Sequence, residues 1–139
     1  MKTKAVRIHG KMDLRLEEIE LPPVGPDDVQ VKIISDSICM STYKAAVEGE
    51  EHKRVPNDVA EHPTIVGHEF CGVITEVGRL VENVKVGDRV GGNFLGYCGK
   101  CYQCSIGHPE YCTGVSNQPC MAEYVVWNEA QVCKLPDGV

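Results

Sequence analysis

Apolar and polar residues alternate, with a period near two, in seven short stretches of the chain: KAVRIH (4–9), LRLEEIE (14–20), VQVKIISDSI (29–38), EFCGVITEVG (69–78), DRVGG (88–92), AEYVVW (122–127) and QVCKLP (131–136). Alternation puts every second side chain on one face, and β-branched residues suit a pleated surface, so each stretch predicts a short strand. Turn-forming clusters lie between them, at PPVGPDD (22–28), VGD (86–88) and PDG (136–138). Short strands cut by such turns predict a mainly β, barrel-like domain. The run STYKAAVEGE (41–50) instead gathers helix formers and ends at Gly49, which predicts one short helix.

Two stretches follow neither period. EEHKRVPNDVAEHPT (50–64) is polar and twice broken by proline, and reads as a surface loop. Residues 93–120 hold four glycines, two prolines and five cysteines without sustained periodicity. Such a segment cannot assemble a packed core of its own, so something else must order it. The chain stops at KLPDGV after a strand and a turn, which reads as a domain boundary, and residues 1–139 are expected to form one domain.

Composition narrows the class. With 42% apolar and 24% charged residues the chain falls in the globular range. Acidic residues outnumber Lys and Arg by 20 to 14, for a net charge of -6, which argues against a nucleic-acid partner because phosphate binding needs clustered cations. The N-terminal MKTKAVRIHGKMDLRLEE is charged throughout and carries no signal-peptide core, and no stretch approaches the ~18 uncharged apolar residues of a membrane span. The expectation is a cytoplasmic protein without a membrane partner, in which reducing conditions keep the eight cysteines as ligands or buried thiols.

Four of those cysteines fall within fifteen residues, as Cys98, Cys101, Cys104 and Cys112, in the spacing C-x2-C-x2-C-x7-C. Two-residue gaps let successive thiolates turn toward one centre, and the longer gap lets the last close a tetrahedron. Zinc, at about 2.3 Å from each sulfur, satisfies four such ligands and leaves no open position. An iron–sulfur run expects a final gap of three followed by proline, whereas here the gap is seven and Thr113 follows. Disulfides between such near neighbours demand separations that the spacing rarely permits. The spacing therefore favours a structural zinc that replaces the missing core of the excursion. Cys71 and Cys133 lie in apolar strand patterns and Cys120 at a strand entrance, where a thiol serves as a small hydrophobe.

A second constellation is more dispersed. Cys39 ends a long strand, and His68 and Glu69 stand side by side about thirty residues later. Singly, each has an ordinary explanation as a buried thiol, a hydrogen-bonded imidazole or a solvated charge. Together they offer sulfur, nitrogen and oxygen, and three protein ligands are what a catalytic zinc keeps when its fourth position must stay open. The residue four after His68 is Gly72, so this is not the two-histidine metalloprotease motif.

Cys39-x-Ser41, Gly67-His68-Glu69-x-x-Gly72, Val86-Gly87-Asp88-Arg89-Val90 and the four-cysteine lobe, in that order, resemble the N-terminal GroES-like domain of zinc-dependent medium-chain alcohol and polyol dehydrogenases. The resemblance spans the whole chain. It implies a GroES-like partly open barrel with few short helices. It implies one structural zinc on Cys98, Cys101, Cys104 and Cys112, and one catalytic zinc beside Cys39, His68 and Glu69. Glu69 is then a direct ligand, an exchanging one or a neighbour of the ligands. Ser41 matches the hydroxyl that passes the alcohol proton toward solvent, although a Ser there also suits a helix N-cap. The family usually continues after the cysteine with Gly, Ser or Thr, and Asp; here Met40, Ser41 and Thr42 follow.

Hydride transfer to a nicotinamide needs a dinucleotide site, and the chain contains neither G-x-G-x-x-G after a strand nor a phosphate loop. The resemblance places NAD(P) on a nucleotide-binding domain that follows, with a small alcohol or carbonyl substrate and a homo-oligomeric full-length form. It also likens the EEHKRVPNDVAEHP loop to that of polyol and sugar-phosphate reductases; His52, Lys53 and Arg54 there could meet a phosphate, or simply be solvated. A zinc-stabilised β-barrel serving as a binding or assembly module is the alternative, and it has no use for Cys39 converging on His68.

Overall fold

β1 (Lys2–Gly10) and β2 (Asp13–Glu20) form an antiparallel hairpin in register from Lys2↔Glu20 to Ile8↔Leu14, turning through Met12 in the left-handed region. In the computed structural model, which describes residues 1–93, 95–98, 100–114 and 116–139, all seven strands read from alternation are present. β3 (Asp28–Asp36), β5 (Phe70–Val77), β6 (Arg89–Gly92), β9 (Tyr124–Asn128) and β10 (Val132–Lys134) build one antiparallel sheet in the order β10-β6-β5-β3-β9. β4 (Thr64–Ile65) adds to the hairpin beside β1.

The two sheets are stitched along residues 121–123. Val6 N donates to the Met121 carbonyl at 2.8 Å, Ala5 bridges Ala122, and Ile33 N donates to the Glu123 carbonyl at 2.9 Å. Register shifts in the β3–β5 ladder, between Gln30 and Val31 and between Ile33 and Ser35, bend the larger sheet. The architecture is the mainly β, partly open barrel that the sequence predicts.

Inside the curl, Val29, Val31, Phe70, Ile74, Val90, Val125, Trp127 and Val132 form one buried cluster. Phe70 meets Trp127 edge to face with centroids 4.8 Å apart, and the indole N–H reaches the Pro119 carbonyl at 3.1 Å. Gly92 admits this pair: a β-carbon there would collide with the Phe70 ring and come within 2.9 Å of Trp127. Gly92→Ala is therefore expected to cost about 1–3 kcal/mol, read as a lowered thermal midpoint. An unchanged midpoint would show that the two rings can shift at no cost.

A second cluster, Ile8, Ala45, Val55, Val59 and Val66, packs α1 (Met40–Glu48) against β1. Here the structure corrects the surface-loop reading of residues 50–64. Val55, Val59 and His52 of that stretch are buried, and its end forms β4. Isolated valines four residues apart among charges carry no period, which is why pattern alone misses them. Cys133 is also corrected: on the short β10, Val132 faces the core while Cys133 is exposed.

Among the described residues of the cysteine excursion, Cys120, at its exit, is the one whose side chain packs into the core. The excursion contains the two-residue strands β7 (Leu95–Gly96) and β8 (Ser116–Asn117), paired with each other, and the single turn α2 (Tyr102–Ser105). Phe94, Gly99 and Val115 of this stretch lie outside the described residues.

Candidate metal centres

In the lobe, one ligand sulfur from each of Cys98, Cys101, Cys104 and Cys112 lies within 4.8 Å of the other three. The Cys101 sulfur is 3.5 Å from that of Cys104 and 3.9 Å from that of Cys112. A tetrahedral zinc with sulfurs at about 2.3 Å requires about 3.8 Å between them, so the spacing suits that ion. Backbone amides are already aimed at the sulfurs: Cys101 N–H at Cys98, and Cys98 and Gly114 N–H at Cys112, each at 3.3 Å. Such donors favour thiolate over thiol. The amides of Cys104 and Thr113 lower the Cys101 thiol to about 6, and those of Lys100 and Cys101 lower Cys98.

The second centre follows from strand pairing. β3 and β5 are antiparallel neighbours with Asp36 opposite Phe70, so the residues after one and before the other must meet. Cys39 follows β3 and precedes α1; His68 and Glu69 precede β5. Ser37 N–H donates to the Glu69 carbonyl at 2.9 Å and draws the two segments together. Gly67, at φ 85°, makes the sharp turn into His68, where a β-carbon would come within 2.9 Å of the Met121 β-carbon.

Ligand atoms of Cys39, His68 and Glu69 fall within 4.8 Å of one another. Cys39 and His68 are half-buried, whereas Glu69 is exposed. The Ser41 hydroxyl stands between the first two, 3.3 Å from Cys39 Sγ and 3.4 Å from His68 Nε2. It is not the helix N-cap; that position belongs to Cys39, whose carbonyl accepts from Thr42 N–H at 2.9 Å. His68 Nε2 is 3.9 Å from Glu69 Oε1, and the other Glu69 oxygen accepts from the Ser37 hydroxyl. That bond, with the neighbouring Cys39, holds the Glu69 carboxyl below the usual carboxylate range. A soft sulfur, an imidazole nitrogen and a carboxylate form a donor set that fits zinc.

Beside this trio lies a cavity of about 160 Å³ whose lining includes Ser41, His68, Thr42, His52 and Arg54. Gln118 and Pro119 close it from the segment leading out of the lobe. Among the described residues no carboxylate lines it, and Arg54 is the one permanently charged residue that does. The His-Lys-Arg cluster thus divides: His52 is buried and accepts at Nδ1 from Arg54 N–H at 3.3 Å, Arg54 reaches the cavity, and Lys53 is exposed away from it. Sequence reasoning missed Ser37 and Asp36, whose only signal is polar residues at a strand end, SDS, just before Cys39.

Comparison with known proteins shows the family of the chain. The model of the alcohol dehydrogenase GroES-like domain matches residues 25–137, and the chain belongs to that family. L-sorbose 1-phosphate reductase of Klebsiella pneumoniae is 49% identical over 77 residues, 55% of this chain and 19% of that protein. Mannitol-1-phosphate 5-dehydrogenase of Aliivibrio fischeri is 51% identical over 87 residues, 62% of this chain and 21% of that protein. The crystal structure of RspB, an alcohol dehydrogenase of Escherichia coli complexed with NADH, superposes with a TM-score of 0.84 at 32% identity, over 99% of this chain and 40% of that one. The matched stretch is thus about a fifth of the first two relatives' length. No helix among the described residues is long and apolar enough to cross a membrane.

Proposed function

We propose that this chain is the catalytic-domain portion of a zinc-dependent, NAD(P)-linked dehydrogenase acting on an alcohol or polyol, or on the corresponding carbonyl. The observation that carries this reading is the convergence of Cys39, His68 and Glu69 beside a cavity, from segments about thirty residues apart. A binding or assembly module would need the lobe but not this second cluster.

Cys39, His68 and Glu69 would hold the ion, with Glu69 the most exchangeable because it is the most exposed. Zinc in such a site polarises a carbonyl or stabilises an alkoxide so that hydride can move to or from a nicotinamide. Ser41 Oγ, within 3.4 Å of the imidazole and on the cavity wall, is placed to accept the alcohol proton and pass it outward. His68 is held by the turn at Gly67 and by β5, so its ring has little freedom to leave the site. Cys98, Cys101, Cys104 and Cys112 would hold a second zinc whose role is to order the lobe. Eight free cysteines fit a reducing, cytoplasmic setting.

Within the alcohols, phosphorylated polyols are the class the cavity favours. Arg54, with no carboxylate on the same wall, supplies a planar donor for a phosphate held away from the reacting carbon. Two relatives are named for phosphate esters, one of the ketose sorbose and one of the polyol mannitol. The test is steady-state kinetics of the full-length enzyme on a polyol and its phosphate ester. Arg54→Glu is expected to raise KM for the ester about tenfold or more while leaving the free polyol unaffected. Equal effects on both substrates would refute the phosphate assignment, and absence of any NAD(P)-linked turnover on alcohols would refute the dehydrogenase reading.

A further inference from the structure

Asp36 ends β3, three residues before Cys39. Its half-buried carboxylate accepts from Ser37 N–H at 2.8 Å on Oδ1 and from the Cys120 thiol at 3.5 Å on Oδ2. The Glu69 amide is a further donor to it, and the His68 imidazole is close enough for its charge to act on it. Cys120 is itself fully buried, and its N–H donates to the Gly67 carbonyl at 3.2 Å. Asp36 therefore touches the Gly67–His68–Glu69 turn from the Glu69 amide on one side and through Cys120 on the other. Asp36 Oδ2 would lie 3.2 Å from a β-carbon at Gly67, so the bare glycine is what lets the carboxylate come so near.

These contacts are more than the fold requires. The β3–β5 ladder and the bond from Ser37 N–H to the Glu69 carbonyl already join the two segments. Drawing a carboxylate out of water costs free energy unless something repays it, and a thiol is a weak donor. What a fixed negative charge can do here, and an amide or hydroxyl cannot, is act on the imidazole and on a cation beside it. We propose that Asp36 is a positioning residue for the ion held by Cys39, His68 and Glu69, fixing the turn that carries two of these ligands and strengthening divalent-cation binding through its charge. The proposal rests on reading that trio as a metal centre. Carboxylates behind a ligating histidine typically govern affinity in this way.

The experiment is a zinc titration of the chain against a chromophoric chelator, with thermal melting in parallel. The unaltered chain is expected to take up two zinc ions. Asp36→Asn keeps the shape and one of the two acceptor oxygens, which can still take the Ser37 N–H, while removing the charge, and is expected to weaken one ion about 10- to 100-fold while the lobe ion stays as it was and the melting midpoint changes little. Cys120→Ala keeps the charge and removes only the weak thiol donor, and is expected to leave both affinities within about threefold. Uptake of a single ion by the unaltered chain would overturn the metal-centre reading itself. Two ions bound equally well by Asp36→Asn would overturn the role of Asp36 alone. Equal weakening in both variants would assign the effect to packing, and joint loss of both ions and the fold in Asp36→Asn would assign it to folding; either overturns the proposal.

Discussion

Replacing His68 by alanine is expected to reduce turnover of the full-length enzyme by about 10³-fold or more while shifting thermal stability little. The imidazole is one of three donors converging beside the cavity, and it has no substitute among the described residues. Zinc at such a site contributes several kcal/mol to the reacting state, and about 1.4 kcal/mol corresponds to each tenfold in rate. His68 sits outside both apolar clusters, so its removal opens no core cavity. The stability change should stay near the ordinary 1 kcal/mol of a point substitution. Kinetics and melting on the same preparation check both halves. A variant that retains turnover would show that the trio does not hold the catalytic ion.

Cys101→Ser is expected to do the reverse. Cys101 lies within 3.9 Å of two partner sulfurs and cannot be replaced by another thiol, since Cys120 and Cys133 lie elsewhere in the fold. Among the described residues of the excursion, Cys120, at its exit, is the one packed into the core, so metal–sulfur bonds are expected to be the main source of order around Cys101. Losing the ion should lower stability by about 3–5 kcal/mol, or about 10 °C or more in a domain of this size. Metal analysis should fall by one ion per chain, and proteolysis should begin within residues 93–120. Unchanged melting would refute the structural role of the lobe.

Acid should release the same ion. An unfolded thiol titrates near about 8.5, whereas amide donors lower Cys101 to about 6. Because the folded value is the depressed one, the stability contributed by the thiolate is complete above the unfolded value and is lost as pH falls through about 6. Because protons compete with zinc for the thiolates, the lobe's zinc affinity is expected to fall more and more steeply as pH drops through about 6, read against a colorimetric chelator. An affinity equal at pH 7 and pH 5 would contradict this.

Much of this was legible in the residues. Alternation located most of the strands because one face of each, such as Val29 and Val31 of β3, is committed to the core; β2 alternates too, yet its Leu14 and Leu16 are exposed. The cysteine spacing was legible because tetrahedral thiolate binding restricts short gaps severely. Cys39, His68 and Glu69 could be grouped by their ligand chemistry and by resemblance, but nothing local says that β3 and β5 are neighbours. The burial of Val55 and Val59 was hidden because an irregular segment has no period to betray its inner side. Asp36 escaped notice for a related reason: a lone carboxylate at a strand end looks solvated until Cys120, eighty-four residues later, is seen against it.

The path of the backbone out of the lobe links the two centres mechanically. Seven residues separate Cys112 from Cys120, and among them lie Gln118 and Pro119, which wall the cavity, while Cys120 itself braces Gly67. The sulfur cage thus stands at one end of a short segment of chain whose other end walls the cavity. Emptying the cage would slacken that wall, blunting activity without touching a single reacting group.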